Sequence, residues 1–181
     1  MLGRMRDPVD RIREQWAAER PDLDTEAMGI LGRLNRCSAA ARAAMDATCA
    51  RHGISRADYD VLATLRRSGA PFQLAPGDLS RSLMLTSGGL TGRLDRLERA
   101  GLIHRSPDPT DRRSQIVALT EHGRELIDAA LEDGVRTQQA LLADLTPEQR
   151  DQLDELLRHL LASVTRVAEE PPDARRPRAA T

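Results

Sequence analysis

Apolar residues recur at helical spacing along most of this chain. Between Asp7 and Arg20, Ile12, Trp16 and Ala17 fall at i, i+4 and i+5 behind Pro8, which predicts a short amphipathic helix that Pro21 ends. Glu26 to His52 predicts a long Ala-rich helix, with Ile30, Leu31, Leu34, Cys37, Ala41 and Met45 on its apolar face and Gly53 as its stop. Ser55 caps the next helix, with Asp58 as capping-box partner and Tyr59, Leu62, Ala63 and Leu65 inward. Gly69, Pro71, Pro76 and Gly77 punctuate a loop, and Gly77 to Leu83 is a short helix. After a turn at Leu85-Thr86-Ser87, a helix capped by Thr86 or Ser87 runs to Ala100, with Leu90, Leu94 and Leu97 as its buried stripe. Gly101 closes it.

The period then changes. Leu102 to Ser106 and Gln115 to Leu119 read as two strands, joined by a charged turn at Pro107–Ser114. Thr120 caps a further helix to about Ala143, and Thr146-Pro147 starts the last one, with Leu153, Leu156, Leu157, Leu160, Leu161 and Val164 as its stripe. From Glu169 onward Pro, Arg and Ala dominate, which predicts a disordered tail over residues 169–181.

Composition narrows the function. In 181 residues there is one Trp, one Tyr and one Phe, too few for the base-stacking platforms of single-strand binders. All 27 basic residues are Arg, which excludes the lysine-dependent phosphate loop, pyridoxal and kinase sites. Metalloprotease and serine-hydrolase motifs are absent too, so the chain reads as no enzyme, and nothing calls for a cofactor or a metal. No apolar run spans a membrane and no secretory leader is visible, so a cytoplasmic protein is expected. Cys37 and Cys49, on one helix, would stand roughly 18 Å apart, too far to pair. Both fall on predicted apolar faces, so inert buried thiols are expected.

The net charge is −1, but it is unevenly spread. From Arg81 to Arg113 seven Arg face four acids, so a balanced total hides a basic stretch. That stretch holds two short helices, a tight turn and a hairpin, the outline of a winged helix-turn-helix. The fold class is therefore mainly α with a small β-hairpin wing. The second helix opens Thr86-Ser-Gly-Gly-Leu-Thr-Gly92, small residues that let a helix approach base edges in the major groove. Each helical Gly costs about 1 kcal/mol against Ala. Close approach to DNA offsets that cost; plain tolerance within a packed helix is the other reading. The hairpin tip carries Arg112 and Arg113, suited to the negative potential of a narrow minor groove, with Asp111 to brace them. A solvated charged turn is the alternative.

Over about residues 26–168 the chain resembles the MarR transcriptional regulators. The resemblance rests on Leu79-Ser-Arg-Ser-Leu83, on Thr86 to Ile103, on Asp108-Pro-Thr-Asp-Arg-Arg113 and on Leu119-Thr-Glu-His-Gly123. It implies a homodimer with a helical dimerisation lobe (residues 26–52 and 121–168) and a DNA-binding lobe (residues 54–120), preceded by an extra helix and loop (residues 1–25). It implies a repressor that reads a pseudo-palindromic double-stranded operator. Thr86, Ser87, Gly88, Thr91 and Arg96 would meet DNA from the recognition helix, and Asp111, Arg112 and Arg113 from the wing.

A finer likeness is to the urate-responsive branch of that family, and it implies a ligand set of Trp16, Asp60, Arg93 and Arg105. Tyr59 and Gly92 depart from it, where Trp and Asn are frequent. Guanidinium forks and an indole N–H suit a planar, nitrogen-rich anion. Urate, other purines and phenolic or aromatic acids all fit that description. Asp60 would pair with Arg when the site is empty, so ligand entry would exchange one contact for another on the recognition helix. Two other readings stand beside this one: a regulator driven by cysteine oxidation, and a helical protein-interaction module without DNA binding.

Overall fold

The computed structural model describes residues 6–83, 87–108 and 115–169. Thr86, Asp111, Arg112, Arg113 and the tail beyond residue 169 lie outside the described residues. The chain forms two compact units, residues 1–138 and 139–181.

In the first unit, α1 (Pro8–Glu19) opens with a capping box between Asp7 and Asp10. It packs against α2 (Glu26–Arg51) through small residues. A Cβ on Gly29 would meet Arg13 Cδ at 2.7 Å, and one on Gly32 would meet Val9 Cγ1 at 3.3 Å. Arg33 of α2 then holds Asp7 at 2.7 Å and Asp10 at 2.6 Å. These pairs fix the register: α1 runs antiparallel to α2, with its C-terminal end beside the start of α2.

The capping box predicted at Ser55 and Asp58 starts α3 (Arg56–Arg67). Next come β1 (Gln73–Leu74), α4 (Pro76–Leu83) and α5 (Ser87–Arg99). The wing strands are β2 (Ile103–Pro107) and β3 (Gln115–Leu119), and α6 (Glu121–Leu141) follows. Val61, Leu62, Leu65, Leu79, Leu97, Ile103, Val117 and Ile127 are almost wholly buried in one cluster. Each such side chain contributes about 1.5–3 kcal/mol by leaving water. That cluster locks α3, α4, α5, the sheet and α6 together.

The predicted wing hairpin forms as β2 and β3, and β1 adds a third antiparallel strand in the order β1-β3-β2. Gln73 and Leu74 pair with Ala118 and Val117, and the Leu119 amide donates to the Phe72 carbonyl at 3.1 Å. A two-residue strand leaves no alternation in the sequence to read. One expectation needs correction. Cys37 is exposed, against the predicted apolar burial, whereas Cys49 is buried as expected.

The turn into α6 explains the Leu-Thr-x-x-Gly spacing. The Thr120 hydroxyl donates to the Gly101 carbonyl at 2.7 Å and accepts from the Gly123 amide at 2.9 Å. Gly101 sits at φ +69, and a Cβ on Gly123 would lie 1.9 Å from the Leu102 carbonyl oxygen. Only glycine lets α6 come this close to the end of the recognition helix.

The second unit contains α7 (Pro147–Glu169). None of its residues is buried, and Leu156 and Leu161 are 68% and 69% exposed.

Candidate nucleic-acid interface and effector cavity

α4 and α5 are the two helices of the helix-turn-helix, and α5 is the second. Its apolar stripe of Leu90, Leu94 and Leu97 is buried as predicted. Ser87 and Gly88 open it, and Thr91 and Gly92 lie on the exposed side. A Cβ added at Gly92 would meet nothing within 4 Å.

The charged residues of α5 divide by partner. Arg96 donates to Asp58 Oδ1 at 2.9 Å, across to the first turn of α3. Burial pushes the Asp58 carboxyl up, but Arg96 and the Ser55 hydroxyl outweigh burial and hold it below the usual carboxylate range. Asp58 therefore caps α3 and anchors the recognition helix at once. Arg96 stays half exposed, with one face turned inward.

Arg105, on β2, is held by the same helix. Its guanidinium reaches Glu98 at 2.5 Å and Asp95 at 2.6 Å, and its backbone amide donates to Glu98 at 3.0 Å. The hydrogen bonds from Arg105 lower the Glu98 carboxyl. This cluster fastens the wing strand to α5.

Of the four residues in the implied ligand set, two come together. Asp60 and Arg93 line one cavity of about 350 Å3 between α2, α3 and α5. That volume is at the low end for small-molecule sites, roughly 300–1,000 Å3. Arg105 is not among its lining residues. Trp16 is not either. The antiparallel register puts Trp16 beside the first turn of α2, and Arg42 of the cavity lies about 24 Å further along that helix. Side chains of one chain do not bridge that distance.

Residues 52–114 match the MarR family. Over 149 residues the chain is 40% identical to the HTH-type transcriptional regulator PecS of Dickeya dadantii, covering 82% of this chain and 90% of that protein. The chain belongs to the MarR family. Among solved structures it is similar to a mutant E. coli MarR complexed with operator DNA, at 27% identity and a TM-score of 0.65, over 76% of this chain and 97% of that one. It is also similar to BpsR of Bordetella bronchiseptica, at 27% identity and a TM-score of 0.63, over 76% and 95%.

MarR-family proteins are DNA-binding transcriptional regulators rather than enzymes, and this winged helix-turn-helix chain is one of them. In such a MarR-family lobe the second helix of the helix-turn-helix lies in the major groove. The Asp58–Arg96 and Arg105–Glu98 pairs set how that helix and its wing are presented.

Sequence reasoning missed three cavity residues, Arg42, Asp46 and Arg56. One signal was available: Arg56 and Asp60 are spaced i, i+4 and share a helix face. Arg42 and Asp46 share the same spacing on α2, but nothing in the sequence turns that face toward α3. No helix among the described residues is long and apolar enough to cross a membrane.

Proposed function

We propose that this MarR-family chain is a homodimeric repressor that binds a pseudo-palindromic operator and leaves it when a small planar aromatic anion enters the cavity at Asp60 and Arg93. The observation that carries the reading is the position of Arg93. It lines the cavity and belongs to the helix that reads DNA. A ligand held by Arg93 therefore acts directly on the DNA-reading element. By linkage, operator DNA weakens ligand binding by the same factor.

The dimer reading rests on apolar helix faces left in water. α2 exposes Met28, Ile30, Leu31 and Leu34, and α7 exposes Leu153, Leu156, Leu157 and Leu161. A second copy covers them in this reading, and the dimerisation lobe is residues 26–52 and 121–168. Trp16, 41% exposed beside Ile12, then meets a cavity only from the second copy. Thr86, Ser87, Gly88 and Thr91 approach base edges, and Arg112 and Arg113, braced by Asp111, enter the minor groove.

Urate is the first candidate, from the likeness to the urate-responsive branch. The DNA binding of BpsR is regulated by 6-hydroxynicotinic acid, so an aromatic acid of that kind is the second. Cysteine oxidation is disfavoured at Cys49: burial raises its pKa and keeps the thiol protonated.

The test is a gel shift on DNA just upstream of the chain's own coding sequence, repeated across urate and 6-hydroxynicotinate titrations. The expected result is a shifted complex that one of the two dissolves. A shift that neither compound touches removes the effector reading. No shift even at low salt, where phosphate contacts are strongest, removes the operator reading for that fragment.

A further inference from the structure

The cavity at Arg93 is richer in charge than the family likeness implies. α2 contributes Arg42 and Asp46 to it, α3 contributes Arg56 and Asp60, and α5 contributes Arg93. Three arginines and two acids line it. In the empty site Asp60 is paired with Arg56, at 3.3 Å, and not with Arg93. Arg42 and Arg93 make no ion pair among the described residues. Burial here is partial: the side chains of Arg56 and Asp60 are 41% and 43% exposed, so a ligand reaches them without opening the core.

We propose that Arg42, Arg56 and Arg93 together form a three-arginine site for a heteroaromatic anion with acceptors on more than one edge, and that Arg56 is the latch the ligand takes from Asp60. The proposal rests on the reading of this cavity as the effector site. One guanidinium fork satisfies one carboxylate edge. Forks presented by three separate helices favour a ring whose oxo groups or ring nitrogens accept on opposite sides. An anion with a single acceptor edge, such as benzoate, leaves two forks unused. The contact exchange also gains a direction. In the empty protein the Arg56–Asp60 pair lies within α3 and does not include Arg93. In the filled site the ligand joins Arg93 to Arg42 and Arg56, which ties the recognition helix to α2 and α3.

The experiment is calorimetric titration of the full chain with urate, 6-hydroxynicotinate and benzoate. It compares wild type with Arg42→Gln, Arg56→Gln and Arg67→Gln. Arg67 lines a neighbouring cavity that also includes Asp60. Thermal melts check that each variant folds. For wild type, urate or 6-hydroxynicotinate should bind at least tenfold tighter than benzoate. Arg42→Gln and Arg56→Gln should each weaken the better ligand tenfold or more, the scale of a lost charge-assisted hydrogen bond. The gap to benzoate should shrink in both. If wild type binds and both variants bind within threefold of it, the three-arginine site is wrong while the effector reading stands. Should Arg67→Gln alone abolish binding, the neighbouring cavity is the site. Wild type that binds none of the three overturns the effector reading itself, and this proposal with it.

Discussion

The DNA-reading lobe and helix α7 use the same residue in opposite ways. Leu62, Leu65, Leu79 and Leu97 are buried to 2% exposure or less, whereas Leu156 and Leu161 on α7 are more than two-thirds exposed. Both sets follow helical spacing, so periodicity alone does not separate them. What separates them is the number of neighbours the chain itself supplies. Around α3 the chain brings three helices and a sheet. Around the α7 stripe it brings too little to exclude water. An apolar stripe thus marks a face suited to a partner, without showing whether that partner belongs to the same chain.

The largest expected effect comes from making that difference fatal. Leu156→Glu with Leu161→Glu should leave the winged lobe folded and abolish the proposed dimer. Sedimentation should show a monomer, and operator affinity should fall on the order of a hundredfold as two half-sites lose their linkage. A double variant that stays dimeric would move the dimer interface off α7.

The next effect lies inside the closed lobe. Gly123→Ala forces a methyl group against the Leu102 carbonyl oxygen. Backbone must move, so the melt should show a loss of about 1–3 kcal/mol or more. Operator binding should suffer as well, because Leu102 directly follows the recognition helix. If the melt is unchanged, the close approach of α6 is relaxed in solution.

Asp58→Asn comes third, at about 1–3 kcal/mol, because it leaves Arg96 without its buried partner. Its pH dependence has a definite sign. The folded carboxyl titrates below the unfolded one. Its contribution is therefore present above the ordinary carboxylate pKa of about 4, and is lost as pH falls through the lower folded value. Between pH 5 and 3 wild type should lose more stability than Asp58→Asn. Parallel losses in the two would place the acid sensitivity elsewhere.

How much was legible follows the same division. Elements with many consecutive residues in one period were readable: β3 and the caps at Ser55 and Thr120 sit where the spacing put them. β1 was not, since two residues carry no period. At the site, Asp60 and Arg93 were paired in the reading by family likeness, and they do share a cavity. Arg105 was assigned to the ligand, yet its guanidinium is held by Asp95 and Glu98. Such a choice among partners is made by tertiary geometry, which spacing does not encode. Arg96 was assigned to DNA by the family likeness, and Asp58 was read only as a cap, yet the two are paired. The ion pair joining them spans 38 residues of sequence, and no local rule reaches that far.

The smallest effect sharpens the comparison at the surface of the lobe. Gly92 is helical, and an added methyl group meets nothing. On the free protein, Gly92→Ala should therefore stabilise by up to about 1 kcal/mol, from helix propensity alone. A natural sequence that forgoes this gain has a reason elsewhere or no reason at all. The two are separated by measuring the melt and the operator affinity on one sample. A higher melting point with weaker operator binding means that the methyl group stands where DNA approaches, and Gly92 then belongs to the interface with Thr91. A higher melting point with unchanged operator binding means that the packed lobe simply tolerates the glycine, and the recognition surface is confined to the other exposed positions of α5.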